Sequence, residues 1–146
     1  MEYIPAVFKA VSVTFSGLAM WIGANGVFRP TSFAAGFGIP IDNTGKAPRG
    51  GDRTQHQSAT SEPTTRAYVR LMGIRELATG VILALFARQG KWDEMATILV
   101  TIGVLVAGTD GLFLARVAGR TDLGVFHALP GGMIALLSGL FLWQRT

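Results

Sequence analysis

The sequence contains no cysteine, and this absence excludes several kinds of site. A disulfide-stabilised fold, a cysteine-ligated zinc or iron–sulfur site and a thiol nucleophile all need that residue. Charge is also scarce, because 15% of the residues are charged where a soluble domain has about 25%. This scarcity argues against a disordered chain, a coiled coil and a nucleic-acid-binding surface.

Recognisable motifs for cofactors and nucleophiles are missing as well. The sequence has no phosphate-binding glycine loop, no HExxH metal motif and no nucleophile elbow. We therefore predict chemistry that needs neither a cofactor nor a metal ion.

What the sequence does have is glycine and long apolar runs. Glycine supplies 19 of the 146 residues, and the mean hydropathy is +0.40. Four runs approach the length of about 20 residues that a membrane-spanning helix needs. These runs cover residues 5–28, 67–87, 95–117 and 124–143. The sequence therefore predicts an all-α integral membrane protein, a single transmembrane four-helix bundle.

The connections between the runs predict the topology. Residues 42–65 contain no large apolar side chain and are expected to form a mobile solvated loop, whereas residues 30–40 suggest an interfacial or re-entrant turn. Most basic residues outside the spans fall in the loops 29–66 and 118–123. The positive-inside rule places both loops in the cytoplasm, so we expect a multi-pass protein of the endoplasmic reticulum membrane.

Small residues recur at every fourth position on the last two spans. They are Gly103, Ala107, Gly111, Ala115 and Gly119 on one span and Gly131, Ala135 and Gly139 on the other. Such rows let helices approach closely in lipid, where no hydrophobic drive holds helices together. We expect these two helices to pack closely, and the same faces allow a homodimer.

Apart from Lys9 and Arg116, which lie near span ends and are expected at the membrane interface, the acidic and basic residues inside the predicted spans are Arg70, Arg75, Glu76, Asp110 and His127. A charged side chain costs about 2.5–3.5 kcal/mol at the centre of a span and is functional by default. At a rise of about 1.5 Å per residue, Arg75 and Glu76 lie about 12 Å from the cytoplasmic end, Asp110 about 10 Å and His127 about 5 Å. We predict that these four line one polar pocket that opens to the cytoplasm.

Helical phase identifies the neighbours of this pocket. At about 100° per residue, Tyr68, Met72 and Arg75 share one face of the second span, whereas Arg70 points away and can reach lipid headgroups. Asn25 lies near the cytoplasmic end of the first span. We predict substrate contacts for Tyr68, Met72, Arg70 and Asn25.

Two carboxyl groups in one apolar pocket point to acid–base chemistry. A carboxyl group in a low-dielectric site keeps its proton and acts as an acid, whereas one beside an arginine stays ionised and acts as a base. Such a pair can protonate an epoxide or carbonyl oxygen while it activates water or an internal hydroxyl. Glu76 and Asp110 divide the two roles, in an order that the sequence leaves open. Arg75 separates their proton affinities, and His127 orients or relays a proton.

Two other functions fit the same residues. Intramembrane Asp, Glu and His also mark proton relays and transport pathways. That function needs polar residues in the other half of the membrane, where the sequence offers Ser12, Ser16, Thr97 and Thr101. The third function is a non-catalytic membrane scaffold, in which the ionisable cluster serves folding alone.

The motifs also resemble a known family over most of the chain except residues 42–65. The carrying residues are Arg70-Leu-Met-Gly-Ile-Arg-Glu-Leu-Ala-Thr-Gly80, Gly108-Thr-Asp-Gly111, His127, and Pro30 with Phe37-Gly-Ile-Pro40. They resemble a family of small four-helix integral membrane proteins common in fungi. Similar proteins in fungal polyketide clusters are assigned as epoxide hydrolases or cyclases that act on polyene epoxides in citreoviridin- and aurovertin-type pathways. The resemblance implies a lipophilic substrate and functional positions at Arg70, Arg75, Glu76, Asp110 and His127.

Overall fold

The computed structural model describes residues 3–36, 62–116 and 121–145, and these residues form helices without any strand. In chain order the helices are α1 (Tyr3–Phe28), α2 (Pro30–Gly36), α3 (Glu62–Gln89), α4 (Trp92–Arg116) and α5 (Thr121–Trp143). The all-α prediction is confirmed. The four long helices coincide with the four predicted apolar runs, and their ends differ from the prediction by a few residues.

The predicted connections differ from the structure. The turn predicted for residues 30–40 contains helix α2, which begins with a proline, whose fixed φ suits the first helical position. The loop predicted for residues 42–65 ends earlier, because α3 begins at Glu62 and carries Pro63 in its first turn, where no backbone N–H is needed. The other residues of that loop lie outside the described ones. Helix α5 likewise begins inside the loop predicted for residues 118–123.

A glycine turn ends α3 and leads into α4. Gly90 has a φ of 70°, which glycine adopts without strain. Its N–H donates to the carbonyl of Ala87 at 3.1 Å, and the N–H of Lys91 donates to the carbonyl of Phe86 at 3.0 Å. This is the Schellman pattern, which satisfies the last carbonyls of the helix and lets the chain reverse.

The chain divides into two compact units. Unit 1 contains the residues up to Leu18 and those from Gly80 onward, and unit 2 contains Ala19–Thr79. Each unit has its own cluster of buried apolar side chains.

The core of unit 1 joins segments of four helices. Phe8 of α1 stacks on Phe141 of α5, with ring centroids 4.2 Å apart and 18° between the ring planes. Leu83 of α3 and Leu99 of α4 are fully buried in the same cluster. These contacts define the face of each helix that points inward.

Charged and aromatic side chains hold together one end of unit 1. The Lys9 ammonium lies 5.1 Å from the ring centroid of Trp92, and the Arg145 guanidinium lies 5.2 Å from that of Phe141. Arg145 also forms an ion pair with Asp93. Because these residues lie early in α1, early in α4 and just after α5, the contacts show that α5 runs antiparallel to α1 and α4.

Helices α4 and α5 pack through small residues. A Cβ atom added at Gly111 would lie 2.6 Å from the Cβ of Ala128 and 2.9 Å from the carbonyl oxygen of Gly124. One added at Gly103 would lie 2.7 Å from the Cβ of Ala135. Cβ atoms do not approach so closely, so a larger residue at either glycine would push the helices apart. We call this contact the α4–α5 seam.

The predicted small-residue rows are confirmed on α4 and corrected on α5. The seam contains Gly103, Ala107, Gly111 and Ala115 of α4 and Gly124, Ala128, Gly131 and Ala135 of α5. Gly139 was expected in the row but has open space around it, and Gly119 lies outside the described residues.

A π-helical turn over Ile102–Ala107 explains the difference between the two rows. In an α-helix a spacing of four residues drifts around the helix by about 40° per step. The wider π turn offsets part of this drift between Gly103 and Ala107, so a strict spacing of four stays on one face of α4. Helix α5 has no such turn, and its seam residues alternate spacings of four and three.

Unit 2 is organised by a glycine crossing between α1 and α3. A Cβ added at Gly73 would lie 2.7 Å from the carbonyl carbon of Gly26, and one added at Gly23 would lie 2.7 Å from the carbonyl oxygen of Gly73. Helix α2 packs beside this crossing, where the buried side chain of Phe33 contacts Val69 of α3. The crossing fixes the level of the α3 residues that follow it.

Within the described residues, three helices are long and apolar enough to cross a membrane: α1, α4 and α5. Large apolar side chains on these helices point outward, and Trp21 and Phe126 are each 70% exposed. Lipid solvates such a surface and water does not. The chain is therefore a membrane protein.

Helix α3 is equally long but more polar. Every 18-residue stretch of it includes Arg75, Glu76 and either Arg70 or Arg88, so each stretch exceeds two charges. The structure thus supports three of the four predicted spans by length and composition.

Adjacent glycines of α5 provide a matched test of the α4–α5 seam. Gly131 faces the Cβ of Ala107, whereas a Cβ added at Gly132 would meet nothing within 4 Å. We expect Gly131→Ala to lower the stability by about 1–3 kcal/mol, as overpacking does, and hence to lower the melting temperature in detergent. Gly132→Ala should leave it unchanged or raise it, because alanine is the better helix former. Equal melting temperatures for the two variants would contradict the seam.

Candidate functional site

The α4–α5 seam places two predicted site residues at one level of unit 1. Asp110 directly precedes Gly111, and His127 directly precedes Ala128, the residue that Gly111 contacts. Each position is six residues, or about 9 Å, from the end at which α4 finishes and α5 begins. His127 is deeper than the predicted depth because α5 begins at Thr121, before the apolar run.

The Asp110 carboxylate is exposed on the surface of unit 1. Helical phase sets it about 100° from Gly111, on the side of the seam away from Gly108. The hydroxyl of the neighbouring Thr109 donates to carbonyls of its own helix, at 3.0 Å in the case of Val106. In lipid an exposed carboxylate such as that of Asp110 needs a polar partner or water.

On the other side of the seam, α4 and α5 enclose an apolar groove of about 550 Å³. Sites for small molecules have volumes of about 300–1,000 Å³, so the groove is large enough for one. It is lined by Val100, Gly103, Val104, Gly108, Ala128, Gly132, Ala135, Leu136, Gly139, Leu140 and Trp143. These residues carry no charge, so the groove itself offers no acid or base.

Unit 2 contains the other two predicted catalytic residues. Arg75 and Glu76 follow Gly73 of the glycine crossing by two and three residues. Arg75 is exposed, whereas Glu76 is half-buried. Consecutive residues of a helix point about 100° apart, so their adjacency in the chain does not by itself pair the two charges. The common pocket predicted for the four catalytic residues stays a prediction.

The predicted substrate-contacting face of α3 is exposed in unit 2. Tyr68 is 64% exposed and Met72 is 38% exposed, and Arg75 continues the same row. Val69 and Gly73, which lie next to them in sequence, are buried instead. This alternation agrees with the predicted helical phase.

Two further predicted contacts lie elsewhere in unit 2. Arg70 is exposed and, with Arg66, lines a groove of about 470 Å³ near the beginning of α3. The Asn25 amide donates to the Trp21 carbonyl at 2.9 Å, so one of its hydrogens is engaged within α1. A substrate would meet the other hydrogen or the carbonyl oxygen of Asn25.

Sequence reasoning named Ser12 and Ser16 for the proton-relay alternative alone and placed no function on Ser138. Ser12 and Ser138 have no exposed surface, and Ser16 is 2% exposed. Phe8, Ser12 and Ser16 repeat at a spacing of four on the inward face of α1, but this spacing fits small packing residues equally well. Among the described residues, no group of three His, Asp or Glu side chains is arranged to hold a metal ion.

The comparison with known families gives one match. A family model described as a domain of unknown function, DUF4267, matches residues 16–142. No curated protein and no solved structure matches the chain significantly. The matched region begins within α1, ends within α5 and includes all the predicted site residues. Because the match covers most of the 146 residues, the chain belongs to the DUF4267 family.

Proposed function

We propose that the chain is a membrane-embedded enzyme that opens epoxides of a lipophilic substrate without a cofactor. The proposal depends above all on Asp110, an exposed carboxylate inside a helix that is apolar enough to cross a membrane. Such a residue is costly in lipid and is functional by default. Glu76 supplies a second carboxylate, which is half-buried and directly follows Arg75 in the chain.

The proposed reaction uses the two carboxyl groups as an acid–base pair. The acid donates its proton to the epoxide oxygen as the carbon–oxygen bond breaks, and the base accepts a proton from the attacking oxygen nucleophile. Water as the nucleophile gives a diol, and a hydroxyl of the substrate gives a cyclic ether. One proton must then return from the base to the acid, which is the role we assign to His127. Arg75 balances the negative charge of the base.

The substrate class follows from the apolar surfaces of the two units. The groove along α4 and α5 is apolar, and Tyr68 and Met72 expose large side chains on α3. We propose that the substrate enters from the bilayer and contacts Tyr68, Met72, Arg70 and Asn25. The homodimer that the small-residue faces allow stays a prediction.

We further propose that α3 is a fourth span and that the loops 29–66 and 118–123 face the cytoplasm at the endoplasmic reticulum. Helix α3 has 28 residues, or about 42 Å, against a hydrocarbon thickness of about 30 Å. Its charged residues lie in the first half of the helix, up to Arg75 and Glu76 at its middle, and at Arg88 near its end, and the stretch from Leu77 to Ala87 is apolar apart from one threonine.

The absence of cysteine makes this topology directly testable. Ser58 precedes α3 in the sequence, and Gln89 is the last residue of α3. If α3 spans the membrane, the thiols of Ser58→Cys and Gln89→Cys therefore lie on opposite sides of it. We expect a membrane-impermeant maleimide, applied to sealed vesicles, to label one of the two variants. Permeabilised vesicles, in which both variants should react, provide the control. Labelling of both variants in sealed vesicles would show that α3 does not span.

The acid–base role of Asp110 predicts a loss of turnover without a loss of fold. Asp110→Asn keeps the size of the side chain and removes its acid and base functions. We expect turnover of a polyene epoxide to fall by about 10²–10⁴-fold, as for the loss of a general acid or base. The melting temperature should change little, because the carboxylate is exposed on unit 1.

Asp93→Asn is the matched control, because it removes an exposed carboxylate of the same helix that pairs with Arg145 at the end of unit 1. Exposed ion pairs contribute about 0–1 kcal/mol, so this variant should keep its turnover. A folded Asp110→Asn protein with undiminished turnover would remove Asp110 from the mechanism. If the chain is a scaffold and the ionisable cluster serves folding alone, Asp110→Asn should instead unfold, which a lower melting temperature would show.

A proton relay remains a second candidate because of the buried serines. Ser12, Ser16 and Ser138 place hydroxyl groups inside unit 1, in the half of the membrane where a relay needs polar groups. Reconstituted in liposomes with a pH gradient, a relay would dissipate the gradient, and Asp110→Asn would slow this dissipation. An enzyme of the proposed kind would leave the gradient unchanged.

A further inference from the structure

Two serine hydroxyls are buried in the core of unit 1 without a protein partner. Ser12 of α1 and Ser138 of α5 have no exposed surface, and neither Oγ atom has a hydrogen-bond partner. Buried hydroxyl groups are normally hydrogen-bonded, because their transfer out of water is unfavourable otherwise. Ser16, one turn further along α1, follows this rule and donates to the Gly80 carbonyl at 2.7 Å.

The two hydroxyls lie at the same level of unit 1. Phe8 and Phe141 stack at 4.2 Å and fix the register of the antiparallel helices α1 and α5. Ser12 is four residues after Phe8, or about 6 Å along α1, and Ser138 is three residues before Phe141, or about 4.5 Å along α5. In antiparallel helices both displacements point the same way. A spacing of three or four also keeps each serine on the face of its phenylalanine.

We propose that Ser12 and Ser138 bind one water molecule, which joins α1 to α5. Water can donate and accept hydrogen bonds at both hydroxyls, and buried waters usually bridge such groups. The apolar cluster that contains Phe8 and Phe141 also contains Leu83, Met95 and Leu99, which are fully buried. This site is independent of the proposed epoxide chemistry, because it contains none of the residues assigned to catalysis.

Alanine variants in a double-mutant cycle test the proposal. We expect Ser12→Ala and Ser138→Ala each to lower the melting temperature in detergent by about 2–4 °C, because each releases the water and leaves the other hydroxyl unpartnered. The double variant should melt no lower than either single variant, since the bridge is lost with the first substitution and the second removes the hydroxyl that was left unpartnered.

Ser16→Ala is the matched control, with the same residue type, helix and burial but a direct partner. It should also lower the melting temperature, and its effect should add fully to that of Ser138→Ala. If Ser12 and Ser138 bind nothing, alanine removes an unsatisfied polar group and the melting temperature rises, which would overturn the proposal. Fully additive losses for Ser12 and Ser138 would overturn it as well.

An experimental density map tests the identity of the ligand. We expect an ordered peak within about 3.2 Å of both Oγ atoms. A direct hydrogen bond between the two hydroxyls would leave no room for the water and would contradict the proposal. None of these measurements involves turnover, so they stand or fall separately from the epoxide chemistry.

Discussion

Both units depend on close contact between helix backbones at glycine. Lipid tails solvate the apolar surface of a helix well, so no hydrophobic effect drives helices together. They associate through van der Waals contact, which requires short distances. The Gly111–Ala128 contact provides this in unit 1, and the Gly26–Gly73 contact provides it in unit 2. Because Asp110 and Glu76 lie within three residues of these contacts, the glycines also determine the levels at which the two carboxylates stand.

Local departures from ideal helix geometry serve the same contact. The π turn of α4 contains Gly103 and Ala107, and Pro130 lies inside α5 directly before Gly131, which faces Ala107. A proline inside a helix removes a backbone hydrogen bond and bends the helix, and a π turn widens it. The two irregularities therefore meet at one level of the α4–α5 seam. Their cost is offset by a row of small residues that stays in register with its partner.

The sequence was sufficient to locate the long helices, because the period of the apolar residues and the length of the runs are local properties. It was less informative at the helix ends. Glu62 and Thr121 begin helices several residues before the apolar runs do, since Pro63 and the polar first turn of α5 are compatible with a helix but add no hydropathy. The row on α5 was predicted with Gly139 because a strict spacing of four was assumed. Which residues of α5 face α4 depends on the π turn of α4. The sequence of α5 contains no information about that turn.

In the candidate site, too, the features that depend on one helix alone could be predicted, whereas those that depend on contacts between helices could not. The common level of Asp110 and His127 could be predicted approximately, because depth along a helix follows from counting residues at a fixed rise. Helical phase also puts Tyr68, Met72 and Arg75 on one face of α3, but that face was expected to line the pocket, and its exposure in unit 2 was not part of the prediction. Ser12 and Ser138 could not be predicted, because a serine in an apolar run reads equally well as a small packing residue. Their significance appears only when the stacked rings of Phe8 and Phe141 bring the two hydroxyls to one level in a core with no other polar partner. A charged residue in a span can be recognised from the sequence, because its burial in lipid is costly. A buried hydroxyl becomes informative only when the structure shows that it has no hydrogen-bond partner.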